Sequence, residues 1–595
     1  MSAPARRLRW RAAAPVGFEE PAPGATLAPT ASDAALAPEA ALAPAVAGAV
    51  LLLAALWLGA LLFARWPLGV HPMIYSDSPI DASFFTYAGA MVRHGGVPYL
   101  SFWDHKPPLI FFIDAAALAL GGGSLWGVWA VAWLSLVTAL LLAYRALRLA
   151  FGPFPALLGA LFLAAAAPSI LAVNMTEGYA PPLQWLAILL FLWWARGGST
   201  VRAGLGLGVV GALLGFLRPN LIGAPLVAVA LMSVRLLAAR RGREWLGLVG
   251  GGVLGGLVVA APILGYLAAH GALDAFRDQV LRYNGLYVAA SWKRRLRAGY
   301  GGLGIVGRTA PVLLPLAGWL LAVARLVRVP VARRDSLVWL GVVWLPVEAV
   351  LAGVSGRSYG HYFMPLFAPL AYLAASFAAS LLAWRDGPVA PRWAVAALAV
   401  ALAVPPVLNV ALDVYDKGLP HRRADQLQAT VGYIDAHTSP RQPILVWGHA
   451  ADVYYFSGRR PASKYIYPLP LLTPRYATAA MVSGFLAEVR AARPPLIVDA
   501  TSGVRQWNDL VPSLGAFDPT WRVPPWRSAT PWWSMTPALR RFYDYVAAYY
   551  EPADTVGPSR WVVYRLRPDG PLDPATTHAP VRIAPVTEDT MVYTW

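Results

Sequence analysis

From about residue 45 to residue 412 the chain is a succession of apolar runs, most of them near the roughly 20 residues needed to cross about 30 Å of hydrocarbon. Nothing else constrains the fold as strongly. A backbone in lipid must satisfy its own hydrogen bonds, so these runs are expected to be helices packed against one another. Eleven are counted: 45–63, 124–147, 154–173, 179–195, 204–217, 221–237, 246–269, 302–323, 337–354, 363–382 and 393–412. Arginine falls in alternate loops: Arg6, Arg7, Arg9 and Arg11 before the first run, then Arg145 and Arg148, Arg196 and Arg202, Arg235 to Arg243, Arg325 to Arg334, and Arg385 with Arg392. By the positive-inside rule these loops are cytoplasmic, the amino terminus is inside and the carboxyl terminus outside. The cluster Lys293-Arg294-Arg295-Leu296-Arg297 breaks the pattern, since this count places it outside.

Composition supports a membrane class: 57% of residues are hydrophobic and 13% charged, against about 25% charged in soluble domains. The net charge of +18 therefore sets topology, and nucleic acid is not an expected partner. With no cysteine, disulfides, thiolate metal sites and cysteine nucleophiles are excluded. Residues 1–44, rich in Ala and Pro, read as a disordered cytoplasmic tail. After the last run, residues 413–595 read as an extracytoplasmic α/β domain. Helical patterns lie at 424–437, 479–492 and 537–550, and apolar strands at 443–447, 495–498 and 561–566. Gly448 after the first strand is too little for a phosphate loop. No repeat or inverted symmetry is visible, which counts against a secondary transporter.

The polar residues concentrate in one island, Tyr75 to Leu109, holding Asp77, Asp81, Arg93, His94, Asp104, His105 and Lys106. Asp81 opens a helical pattern with Phe84, Phe85, Ala88, Met91 and Val92 on one face, ended by Gly95-Gly96. Pro98, Pro107 and Pro108 then favour extended chain. Residues 107–120, too short to span comfortably, are expected to lie at the outer interface. Glu177, Arg218, Arg357, His361 and Tyr362 come at the outer ends of later spans, whereas Glu348 lies inside an apolar run, where a carboxylate needs a partner. Asp77 and Asp81 lack Asp-x-Asp spacing and no His pair has ligand spacing, so no metal is expected.

An Asp at a helix start, then Gly-Gly-Val-Pro-Tyr and Trp-Asp-His-Lys-Pro-Pro-Leu, resembles the first outer loop of the GT-C glycosyltransferases. The branch is that of the protein O-mannosyltransferases, the lipid A aminoarabinose transferase and the RgtA/B/C/D-like enzymes. His361-Tyr362 before Phe-Met-Pro-Leu is similar to that branch's late motif. The resemblance implies a polytopic α-helical membrane enzyme of about eleven spans. It would move a sugar such as mannose or arabinose from a polyprenyl-phosphate donor to a hydroxyl of a protein, lipid or glycan on the outer face of the cytoplasmic membrane, without a cofactor. It casts Asp81 as the base, Glu177 as a second carboxylate, Lys106 as a ligand of the donor phosphate, and Asp104 and His105 as shaping residues. Arg218, Arg357, His361 and Tyr362 are further candidates for the phosphate, and Asp77 supports the motif. Many relatives carry Asp-Glu where this chain has Asp81-Ala82. The rival classes are a transporter or lipid flippase, which would spread its charges near the midplane, and a non-catalytic relative that binds lipid-linked sugar.

Overall fold

A computed structural model describes residues 44–65, 79–170, 174–288, 291–309, 312–383, 421–473, 475–501, 511, 513–514 and 536–570. The expected tail, Asp77, the last run at 393–412 and the tryptophan-rich stretch around 521–533 lie outside these residues. The membrane region begins with α1 (Pro44–Arg65), α2 (Pro79–Arg93), α3 (Leu109–Leu120), α4 (Leu125–Phe151), α5 (Pro153–Ile170) and α6 (Ala180–Ala195). It continues with α7 (Thr200–Leu217), α8 (Gly223–Ala238) and α9 (Gly242–Ala269). The polar stretch that follows folds into α10 (Leu273–Phe276), a π-helical segment (Arg277–Arg282), α11 (Tyr283–Tyr287) and α12 (Trp292–Thr309). The region closes with α13 (Leu313–Arg328), α14 (Ser336–Gly353), a 3-10 segment (Gly360–Leu366) and α15 (Phe367–Ala383). Among the described residues, five helical stretches are long and apolar enough to cross a membrane: Leu125–Phe151, Thr200–Leu217, Gly242–Ala269, Ser336–Gly353 and Gly360–Leu382.

The expected span at 302–323 is corrected. Its first part belongs to α12, which carries the Lys293 to Arg297 cluster, and a separate helix starts at Leu313. Gly307-Arg308-Thr309-Ala310-Pro311 explains the break, since proline lacks the amide that would continue a helix and glycine weakens it. On α12, Trp292, Leu296, Tyr300 and Leu303 are exposed at three- and four-residue spacing beside the cationic cluster. That is the amphipathic pattern of a helix lying in an interface.

Helix α7, which ends at Arg218, is fixed by close backbone packing on α9. A Cβ on Gly208 would lie 2.0 Å from the Gly252 carbonyl oxygen, and one on Gly255 2.0 Å from that of Leu205. Small residues allow this approach in lipid, where packing rather than the hydrophobic effect holds helices together. Glu348 finds its partners here: its Oε1 accepts from Gln184 Nε2 (2.8 Å) and Trp344 Nε1 (3.1 Å), against the start of α8 at Gly223.

The C-terminal part contains α16 (His421–His437), β1 (Leu445–Trp447), α17 (Ala451–Ser457), α18 (Leu469–Leu472), α19 (Ala479–Ala492), β2 (Leu496–Asp499), α20 (Pro537–Tyr549), β3 (Tyr550–Val556) and β4 (Trp561–Leu566). The sheet order is β1-β2-β4-β3, with β1 and β2 parallel and β4 antiparallel to both its neighbours. β3 is not foreseen in the sequence: it is an edge strand, reads YEPADTV and exposes most of its length, so it has no alternating apolar signal.

Candidate active site

Helix α2 puts Asp81 in its first turn, where the helix dipole favours a carboxylate. Gly95, at φ 88°, ends the helix and turns the chain into the loop of residues 97–108. That loop is tightly held. Tyr99 sits at φ 72°, costly for a bulky residue. Its carbonyl accepts from Gln279 Nε2 (2.8 Å), and its hydroxyl donates to the Lys106 carbonyl (2.9 Å). Gln279, on the π-helical segment, also accepts from the Asp104 amide (3.1 Å), and Asn284 Nδ2 donates to the His105 carbonyl (2.6 Å). Buried Asp104 accepts from the Lys106 amide (2.6 Å) and from the Tyr467 hydroxyl (3.0 Å).

The result is to bring Lys106 Nζ to 3.4 Å from Asp81 Oδ2. The Asp81 side chain keeps 25% of its exposure, against 9% for Lys106. Burial works to raise the pKa of Asp81, but the nearby ammonium and the histidines around it together outweigh burial and hold the carboxyl well below the usual carboxylate range. Burial likewise works to lower Lys106, and Asp81 and Asp104 reverse that, so it stays charged. Asp104 is pushed up to about 6, chiefly by burial, with Lys106 opposing.

Three histidines surround this pair: His105, His361 from the 3-10 segment, and His449 from the chain after β1. All lie within electrostatic range of Asp81. Desolvation lowers His105 and His449, the latter to about 4, so at neutral pH these two rings are uncharged. Each ring also has a buried nitrogen without a hydrogen-bond partner: Nδ1 of His105, Nε2 of His361 and Nδ1 of His449. Buried polar atoms are seldom left so, and each of these nitrogens has its bonding direction unfilled.

Behind the histidines, Arg218 pairs with Glu177 and lies over the Tyr362 ring at 3.7 Å. Thr176 Oγ1 donates to the other Glu177 oxygen (2.8 Å). Burial works to raise Glu177, and Arg218 with the Thr176 and backbone hydrogen bonds more than reverses it, holding this acid below its ordinary range. Arg357 is one layer further out, over the Tyr287 ring at 4.5 Å, and the Tyr287 and Tyr362 hydroxyls are 3.2 Å apart. The loop before Glu177 is pinned by Asn174, which donates to Asp114 Oδ2 (2.7 Å) and Thr86 Oγ1 (3.0 Å) and accepts from the Tyr179 hydroxyl (2.8 Å).

The structure thus gathers Asp81, Asp104, His105, Lys106, Glu177, Arg218, His361 and Tyr362 at one place, with Arg357 at its margin. Among the described residues no three His, Asp or Glu side chains come together as a metal-holding group. Sequence reasoning misses Gln279, Tyr467 and His449. For His449 one signal exists: it follows β1 at the carboxyl end of a parallel strand pair, where ligand sites gather in open α/β sheets.

No protein-family model matches the chain, and no match is found among curated proteins. Solved structures do match. ArnT from Cupriavidus metallidurans in the apo state is 16% identical, with a TM-score of 0.55 over 87% of this chain and 98% of that one. The same protein bound to undecaprenyl phosphate matches at 15% identity and a TM-score of 0.48, over 70% of this chain and 86% of that one. The Archaeoglobus fulgidus oligosaccharyltransferase matches at 14% identity and a TM-score of 0.47, over 89% and 76%. Over 87% of this chain and 98% of that one, this protein shares the fold of ArnT, here a helical assembly followed by a C-terminal sheet domain.

Proposed function

We propose that the protein is an integral-membrane glycosyltransferase that moves a sugar from a polyprenyl-phosphate donor to an acceptor hydroxyl on the outer face of the cytoplasmic membrane. The observation that carries this reading is the Asp81–Lys106 pair at 3.4 Å, beside three histidines that each have a buried nitrogen without a partner. ArnT, whose fold this chain shares, binds undecaprenyl phosphate in one of its crystal structures.

The chemistry needs a carboxylate for the acceptor proton and cations for the departing phosphate. Asp81 takes the proton as the acceptor oxygen forms its bond to the anomeric carbon. On the opposite face, the bond from that carbon to the phosphate oxygen breaks, and the electron pair stays with the phosphate. Lys106 receives this charge, with Arg218 and His361 next in line, so the displacement inverts the anomeric carbon and calls on no metal. Once the phosphate engages Lys106, Asp81 loses part of its counter-charge and becomes a stronger base. Glu177 tempers Arg218, so the pocket does not trap its product.

The test is transfer of radiolabelled sugar from a panel of polyprenyl-phosphate sugars by the purified protein in lipid, with membrane extract as acceptor, beside Asp81→Asn. Transfer that collapses in the variant is expected. Transfer indifferent to Asp81, or none with any donor, sinks the reading.

A further inference from the structure

We propose that His449, delivered by the C-terminal domain, hydrogen-bonds a hydroxyl of the glycosyl unit held beside the Asp81–Lys106 pair. This rests on the transferase reading and adds to it. The sheet domain then supplies part of the sugar pocket, and the membrane helices alone leave that pocket incomplete.

The chain is built to present this ring. β1 ends at Trp447, and Gly448 follows at φ 136°, where a Cβ would sit 3.0 Å from Ala500. Only glycine turns the chain there without strain, and the next residue is His449. Its ring packs on Tyr467 with centroids 4.4 Å apart, and the Tyr467 hydroxyl donates to Asp104 Oδ2 (3.0 Å). Tyr467 is also set edge-on against Phe84 of α2 (5.2 Å), so the ring that seats His449 is fixed to both arms of the Asp81 and Lys106 motif.

The nitrogen then has a task left open. His449 Nδ1 is buried and has no partner, while the residue as a whole stays partly accessible. A buried polar atom of this kind is costly unless something else fills its bonding direction.

Its neighbours indicate which part of the substrate it meets. His105 and His361 feel Arg218 as well as Lys106, whereas the charges acting on His449 are Asp81 and Lys106. Arg218, the arginine that would grip phosphate, is not among the charges acting on His449. A neutral imidazole offers one donor and one acceptor, which matches a hydroxyl better than a phosphate anion.

The experiment compares binding of two probes to the full chain in lipid nanodiscs: undecaprenyl phosphate, and undecaprenyl phosphate carrying mannose or arabinose. His449→Ala is expected to leave affinity for bare undecaprenyl phosphate within about twofold. It should weaken the tighter-binding glycosylated probe about tenfold, near the upper end for one hydrogen bond. His449→Gln, which keeps a donor and an acceptor, should recover part of the loss. Lys106→Ala should weaken both probes. Equal weakening of both probes in His449→Ala, no change in either, or a glycosylated probe that binds wild type no better than the bare lipid overturns the proposal. Failure of the wild type to bind undecaprenyl phosphate at all instead overturns the transferase reading.

Discussion

Replacing Lys106 by methionine removes its charge and keeps an unbranched chain. At 3.4 Å, the attraction between this ammonium and Asp81 is about 5 kcal/mol at an effective dielectric constant of about 20. Asp81 retains 25% exposure, and solvent screening reduces the effect to roughly 2 kcal/mol, or ~1.5 pKa units. In the wild type this attraction, together with the histidines around the pair, outweighs burial, and Asp81 is ionised throughout the working range. In Lys106→Met the largest of the charges opposing burial is gone, so Asp81 should titrate closer to the ordinary carboxylate value of about 3.9. The assay is the pH profile of donor turnover between about pH 3 and pH 8. The variant should acquire an acid limb of its own. Its plateau should fall about 100- to 1,000-fold, as when one pre-positioned donor to a developing negative charge is lost. A plateau within about threefold of wild type would remove Lys106 from the phosphate site. A lowered plateau with an unchanged acid limb would show that the ionisation of Asp81 is set elsewhere.

Glu177→Gln and Arg218→Gln each strand a buried charge and should each cost about 3–5 kcal/mol, while the double variant recovers part of the loss; additive losses in thermal unfolding would deny the pairing. Asp104, at about 6, is raised above its unfolded value, so its contribution to stability is fully present below about pH 3.9 and lost as pH rises through 6. Asp104→Asn should therefore raise the unfolding midpoint relative to wild type more at pH 8 than at pH 4, and a gain that does not grow with pH contradicts this. Gly208→Val should lower the unfolding midpoint by the equivalent of about 1–3 kcal/mol through overpacking against α9. A midpoint equal to wild type would show that the two backbones can separate freely.

The membrane helices are legible in the sequence because an apolar run of this length has few places to go other than lipid. Legibility fails at 302–323, where hydropathy alone joins the end of α12 to α13 across a glycine, an arginine and a proline. The loop from Tyr99 to Pro108 can be found because its residues are neighbours in the chain. What holds it in shape cannot, since Gln279, Asn284 and Tyr467 arrive from remote segments and none belongs to a local pattern. Glu348 is visible as an anomaly, but its partner Gln184 lies on another helix. Edge strand β3, polar along most of its length, gives no signal of its own.

The hydrogen bond from Tyr467 to Asp104 joins residues 363 positions apart. At translation rates of roughly 5–20 residues per second, about 20–70 seconds separate the appearance of the Asp81 loop from that of the tyrosine that braces it. Throughout that interval the nascent protein carries the acid and the lysine without the brace, and for nearly all of it without His449. A chain interrupted before Tyr467 should therefore insert in the membrane and remain inert, and competence arrives only once that residue has been made.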